Sequence, residues 1–90
     1  MKSELTDEFI ECFAELPERV QKTARKNYKL WKQNPLHPSL EFKKLNTQQP
    51  IYSVRAGTGW RAVGVMKDPD TIVWFWIGSH SNYDKLLKNL

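Results

Sequence analysis

The stretch VWFWIGSHSNYD, residues 73–84, decides how this chain is read. Five large apolar residues, Val73 to Ile77, run straight into Gly78, Ser79 and His80. An unbroken apolar run of this length describes a strand covered on both faces, which belongs in the interior of a sheet. Strand side chains alternate, so Trp74 and Trp76 are expected on one face and Phe75 and Ile77 on the other, all four as core. The strand then stops at a glycine and a titratable side chain. His80 is either the place where a core strand ends or part of the chemistry of the protein.

Upstream, IYSVRAG (51–57) and WRAVGVM (60–66) alternate or run apolar, with Gly57, Thr58 and Gly59 between them. That pattern predicts a hairpin. DPDT (68–71) is a second turn and leads into the strand at 72–77. The first third of the chain has a different period. Leu5, Phe9, Cys12, Phe13 and Leu16 form one stripe of an amphipathic helix, with Thr6 as its N-cap and acids in its first turn. Pro17 cannot continue that helix but is well placed to start another. The second helix buries Val20, Ala24, Tyr28 and Trp31 and carries Arg19, Lys22, Arg25, Lys26, Lys29 and Lys32 on its other face. QNPLHPSL (33–40) ends it, with His37 as a connector residue. MKSEL (1–5) is short and polar and is not expected to pair in the sheet. Tyr83, Leu86, Leu87 and Leu90 suit a short C-terminal helix or tail. The expected fold is a single α+β domain over 1–90: an N-terminal helical hairpin packed on one face of a three- to four-stranded antiparallel sheet.

Ninety residues leave no room for a second core. Four tryptophans, three tyrosines and four phenylalanines make a dense one feasible without staples. Cys12 is the only cysteine, which excludes an internal disulfide and a cysteine-based metal site and fits a reducing compartment. The acidic N-terminus does not read as a signal peptide, and no apolar run reaches the ~18 residues of a membrane span. A cytoplasmic protein without membrane association is the expectation.

The net charge of +4 hides an asymmetry. Residues 1–18 set Lys2 against Glu4, Asp7, Glu8, Glu11, Glu15 and Glu18. Beyond them the only acids are Glu41, Asp68, Asp70 and Asp84, against thirteen lysines and arginines. A basic body of this size suits a polyanion or an acidic protein partner.

No metal-ligand spacing, phosphate-binding glycine loop or nucleophile with a triad is present, so neither a metal nor a cofactor is expected. What remains is a set of cations and one histidine near strand ends. Arg55 and Arg61 flank the turn of the hairpin, and His80 follows the third strand. With the strands adjacent in chain order, His80 comes to lie near Trp60 and Arg61. An imidazole that can move a proton and a permanently charged guanidinium suit phosphodiester chemistry. Trp60, beside a turn, is a candidate for stacking on a base. The basic helix face is a candidate for contact with RNA backbone.

In order and spacing, LPERVQKTARKNYKLWKQNP, HPSLEFKKL, YSVRAGTGWRAVGV and VWFWIGSHSNYDKLL resemble the RelE/ParE toxin superfamily. These are the toxins of bacterial type II toxin–antitoxin pairs. The resemblance spans roughly residues 9 to 87. It implies an acidic cognate antitoxin wrapped round the basic toxin, and an endoribonuclease that cuts mRNA on the ribosome. Some members of the superfamily inhibit DNA gyrase instead, so a non-catalytic protein on the same fold is the alternative. By the same resemblance, Arg61 contacts the scissile phosphate, His80 occupies the place of a catalytic residue after the last strand, and Tyr83 lies near a late active-site position. Arg55 stands loosely for a lysine that some members carry on the first hairpin strand, where this chain has Tyr52 and Val54. Lys43 and Lys44 match a basic stretch that binds RNA.

Overall fold

Residues 51–79 form the meander that the sequence predicts. The computed structural model describes all 90 residues. In chain order the elements are β1 (Lys2–Leu5), α1 (Asp7–Ala14), α2 (Glu18–Gln33), a 3-10 turn (Pro38–Leu40), β2 (Lys43–Lys44), β3 (Ile51–Gly57), β4 (Trp60–Asp68), β5 (Thr71–Ser79) and α3 (His80–Leu87). The sheet has five strands in the order β1-β5-β4-β3-β2, all antiparallel except the β1–β5 pair. β5 thus has a neighbour on each side, as its apolar run requires.

Two expectations at the N-terminus are corrected. Residues 2–5 do pair in the sheet, from Lys2 opposite Thr71 to Leu5 opposite Trp74. Without them the outer edge of β5 would present unpaired backbone groups, and backbone pairing needs no apolar side chains. Lys2 N donates to Asp70 O at 2.8 Å, Thr6 N donates to Trp74 O at 3.1 Å, and Lys67 Nζ reaches Glu4 at 3.1 Å across the sheet. Leu5 therefore ends a strand, half exposed, instead of opening the stripe of α1. The cap of α1 is as expected: Thr6 Oγ1 accepts from Phe9 N at 3.1 Å.

α1 and α2 cover one face of the sheet. Val20, Ala24 and Trp31 of α2 are buried against Val54, Ala56, Ala62, Ile72 and Trp74, with Phe9, Cys12, Phe13 and Tyr28 partly buried around them. Trp31 is at the centre, 1% exposed, edge-on to Phe42 and to Trp74 at centroid distances of 5.7 and 5.4 Å. Burial of an aromatic side chain of this kind contributes about 2–3 kcal/mol. Gln21 Nε2 donates to the carbonyls of Phe13 and Leu16, each at 3.1 Å, which ties α2 to the open end of α1.

The expected alternation along β5 is broken. Val63 pairs with Trp76 and Gly64 with Trp74, so Phe75 is an extra residue, a β-bulge. Trp74 and Ile77 consequently share the face under the helical hairpin. Phe75 and Trp76 pack on the opposite side, with Ile51, Val63 and Tyr83. α3 begins directly where β5 ends, with Ser79 as its N-cap. No helix is long and apolar enough to cross a membrane.

Candidate active site

The face turned away from the helical hairpin carries a polar constellation, built from the 3-10 turn upward. His37 Nδ1 accepts from Ser39 N at 3.2 Å and caps that turn, as a connector residue should. Glu41 closes it with φ +46° and ψ +46°, the left-handed region. A side chain that is not glycine costs about 1–2 kcal/mol there. The conformation aims both the carbonyl and the carboxylate of Glu41 at the sheet.

Two arginines receive them. Arg55 and Arg61 are cross-strand partners on β3 and β4. Arg61 donates from Nη1 to Glu41 Oε1 at 3.3 Å and from Nη2 to Glu41 O at 3.1 Å. Arg55 Nη2 donates to Glu41 Oε2 at 2.8 Å. The burial of the two differs sharply. The Arg61 side chain is 5% exposed and Arg55 43%, with Glu41 at 44%. Arg61 Nε is buried without a protein hydrogen-bond partner.

Ser53 joins the arginine to α3. Its Oγ accepts from Arg61 Nη2 at 2.7 Å and from Tyr83 Oη at 3.1 Å. The Arg61 guanidinium lies 5.6 Å from the centroid of the Tyr83 ring. The His80 ring meets that of Tyr83 edge-on, also at 5.6 Å between centroids. The imidazole is 58% exposed, with Nδ1 3.4 Å from Asp84 Oδ2 one helical turn on. His80 N donates to Gly59 O at 2.8 Å, which fastens the start of α3 to the β3–β4 turn. A carboxylate, a guanidinium, a phenol and an imidazole are thus linked in order: Glu41, Arg61, Tyr83, His80.

The residues singled out in the sequence divide into two sets. His80, Arg61, Arg55 and Tyr83 come together. Lys43 is opposite Ser53 in the β2–β3 ladder and shares its face. Lys44 is opposite Tyr52 and so lies on the hairpin side. Trp60 is half-buried against the core beneath α2 and also belongs to that side. Sequence reasoning passed over Glu41 and Ser53. The signal for Glu41 was present, since it is the one acid between Glu18 and Asp68 and precedes two lysines closely. Ser53 was legible as a small polar residue between Ile51 and Arg55 on one face of its strand. No three His, Cys, Asp or Glu side chains form a cluster able to hold a metal ion.

Comparison with known proteins bears on the whole of this arrangement. Residues 18–85 match the ParE-like toxin domain. No curated protein sequence matches significantly. Among solved structures, the fold is similar to a chain of the RelB–RelE antitoxin–toxin complex from Methanococcus jannaschii, with a TM-score of 0.72 at 18% identity over 91% of this chain and 96% of that one. YafQ from E. coli is similar at a TM-score of 0.71 and 11% identity, again over 91% and 96%. The isolated RelE toxin of E. coli gives 0.64 at 14% identity, over 98% and 96%. At these identities the likeness is one of fold. The domain match runs from the first turn of α2 into α3 and includes every residue of the constellation. This chain belongs to the ParE-like toxin family, the toxins of type II toxin–antitoxin systems.

Proposed function

We propose that this toxin is an endoribonuclease that cuts mRNA on the ribosome, held in check by an acidic cognate antitoxin. The observation that carries the reading is the line Glu41–Arg61–Tyr83–His80, which sets a carboxylate and an imidazole on either side of a guanidinium. Cleavage of RNA through its own 2′-hydroxyl needs those three functions. The 2′-oxygen attacks the adjacent phosphorus and the bond to the 5′-oxygen breaks, leaving a 2′,3′-cyclic phosphate and a 5′-hydroxyl. Glu41 takes the proton from the 2′-hydroxyl and protonated His80 gives one to the departing 5′-oxygen. Arg55, exposed, donates to the phosphate oxygens, and the buried Arg61 charge behind it stabilises the charge that develops there. An arriving phosphate competes with Glu41 for Arg55, which frees the carboxylate as base. Tyr83 holds the spacing between Arg61 and His80. Lys43, on the same face, binds backbone.

The partner follows from charge. The exposed cations of α2 suit an acidic protein, and relatives from M. jannaschii, Pyrococcus horikoshii and Mycobacterium tuberculosis were crystallised with their antitoxins.

The test is cleavage of a message on programmed ribosomes by wild type, His80→Ala, Arg61→Ala and Glu41→Gln, with the product ends identified. Wild type should yield cyclic phosphate ends and the three variants almost none. Equal cleavage by all four would remove these residues from the chemistry. One observation favours a second, non-catalytic reading: Arg61 is almost fully buried and its charge is already met by Glu41. DNA damage without message cleavage would then point to gyrase. Loss of toxicity with intact antitoxin binding would point to an inactive toxin.

A further inference from the structure

A second feature lies across the sheet from His80. Arg19, Val20 and Thr23 of α2 face Gly57, Thr58 and Trp60 of the β3–β4 turn across an open recess of about 200 Å³. The lining is mainly polar, with one flat aromatic wall. Trp60 is opposite Ser79, the N-cap of α3, and the carbonyl of Gly59 accepts from His80 N. The recess therefore opens within a residue or two of the imidazole, around the end of the sheet. From its rim Arg19, Lys22, Lys26 and Lys29 continue along α2, all exposed and spaced three or four residues apart on one face. At 1.5 Å per residue they extend about 15 Å. Glu18 is the only acid on the helix.

We propose that this recess takes one base of the RNA strand flanking the cleavage position, with Trp60 as its stacking wall and Arg19 on the neighbouring phosphate. The strand passes His80 on one face, turns over the end of the sheet at Gly59, and follows the cations of α2. A stacking wall accepts any base, because every base has a π-face, while Thr23 and Thr58 offer hydroxyls to its edge. Trp60, placed off the active face, thereby gains a part in binding. The inference rests on the RNA reading above and extends it to the flanking nucleotides.

The experiment measures binding of the full-length protein to a short single-stranded RNA with a 2′-deoxy residue at the cleaved position, and to copies carrying one abasic site at each flanking position. Trp60→Leu should weaken binding roughly 5- to 150-fold, the worth of one stacked base. Trp60→Phe should weaken it far less. The loss should vanish for the one copy whose abasic site removes the stacked base, a coupling that mere loosening of the core would not produce. Arg19→Gln should lower the slope of log affinity against log salt by about 0.7, the contribution of one phosphate on a single strand. Equal binding by wild type and Trp60→Leu, or a loss that is the same for every abasic copy, would overturn the proposal. Coupling at one position in a protein that never cleaves would uphold the recess and sink the nuclease reading. Cleavage by wild type with no coupling would do the reverse. Absence of any binding by wild type would overturn the recess.

Discussion

Glu41 and Arg61 are joined twice, once through the carboxylate at 3.3 Å and once through the main-chain carbonyl at 3.1 Å. The second bond fixes the guanidinium to the backbone, so Arg61 keeps its place even when the carboxylate lets go. An arginine this deeply buried needs such partners, because an uncompensated buried charge costs several kcal/mol. The left-handed backbone of Glu41 is what makes the double contact geometrically feasible. A small strain there positions the cation at the centre of the site.

Glu41→Gln separates the two roles. The backbone bond survives and the amide oxygen can still accept from Arg61, but the buried guanidinium loses its counter-charge, so stability should fall by about 1.5–3 kcal/mol. Message cleavage should fall at least 100-fold, because a carboxamide cannot take the proton. Urea unfolding beside the cleavage assay checks both. Cleavage near the wild-type rate would show that Glu41 only holds arginines.

Arg61→Lys should fail although it keeps the charge. A single ammonium cannot reach the Glu41 carboxylate, the Glu41 carbonyl and Ser53 Oγ together, so at least one buried group loses its partner. The expected loss is about 1–3 kcal/mol of stability, together with nearly all cleavage. A lysine variant with wild-type stability would show that the three-way contact is dispensable.

His80→Ala should behave differently, since the imidazole is mostly exposed and its contact with Asp84 is a surface pair. Stability should stay within about 0.5 kcal/mol of wild type. Cleavage should drop by about 100- to 10,000-fold, the usual worth of a positioned acid or base. An unfolding midpoint that moved in step with activity would argue for a structural histidine.

Much of this site could be read from the chain, and what could not has identifiable causes. The meander, the capped first helix and the stripe of α2 follow from local periods and caps, which act over a few residues. That Arg61 and His80 lie at the same end of the sheet followed from strand order alone. Two features depended on tertiary pairing instead. The strand at Lys2–Leu5 has no apolar period, and only the vacant edge of β5 makes it a strand. The bulge at Phe75 arises from pairing with Val63 and Gly64, so the alternation rule placed Phe75 correctly on the face opposite Trp74 but misplaced Trp76 and Ile77. Glu41 stood out as the one acid between Glu18 and Asp68, but its left-handed backbone, which aims it at the arginines, is marked by no residue-type rule.

Asp68 should contribute to the acid limb of stability. Its Oδ1 accepts from Asp70 N at 2.8 Å, and this bond is the main reason its carboxyl titrates below the ordinary carboxylate value. Partial loss of solvent works against the lowering, and Thr71, Lys67 and Lys2 add to it. A carboxyl whose folded value is depressed contributes stability above its unfolded value and loses it as pH falls through the folded one. The difference in urea midpoint between wild type and Asp68→Ala should therefore be full at pH 7 and shrink below about pH 4. A difference that stayed constant to pH 2 would remove the ionised carboxylate as its source.

Gly64 tests the bulge. It faces Trp74 at the point where the β4–β5 register shifts, and a Cβ added there would stand 2.8 Å from the Trp74 ring, 2.9 Å from the Val73 carbonyl and 3.0 Å from Ile72. The indole is packed against Trp31 and the carbonyl is main chain, so neither can yield cheaply. Gly64→Ala should therefore cost about 1–3 kcal/mol, the usual range for overpacking a core. The bulge fixes the register that places Gly78 opposite Arg61 and His80 beside the turn, so cleavage should fall along with stability. The size of that fall is informative. Opposite Trp74, Gly64→Ala strains a buried pair on the hairpin side, away from Glu41, Arg61 and His80. If a stabilising co-solute restores the unfolding midpoint but not the cleavage rate, the bulge sets the spacing of the site. If both recover together, Gly64 serves packing alone.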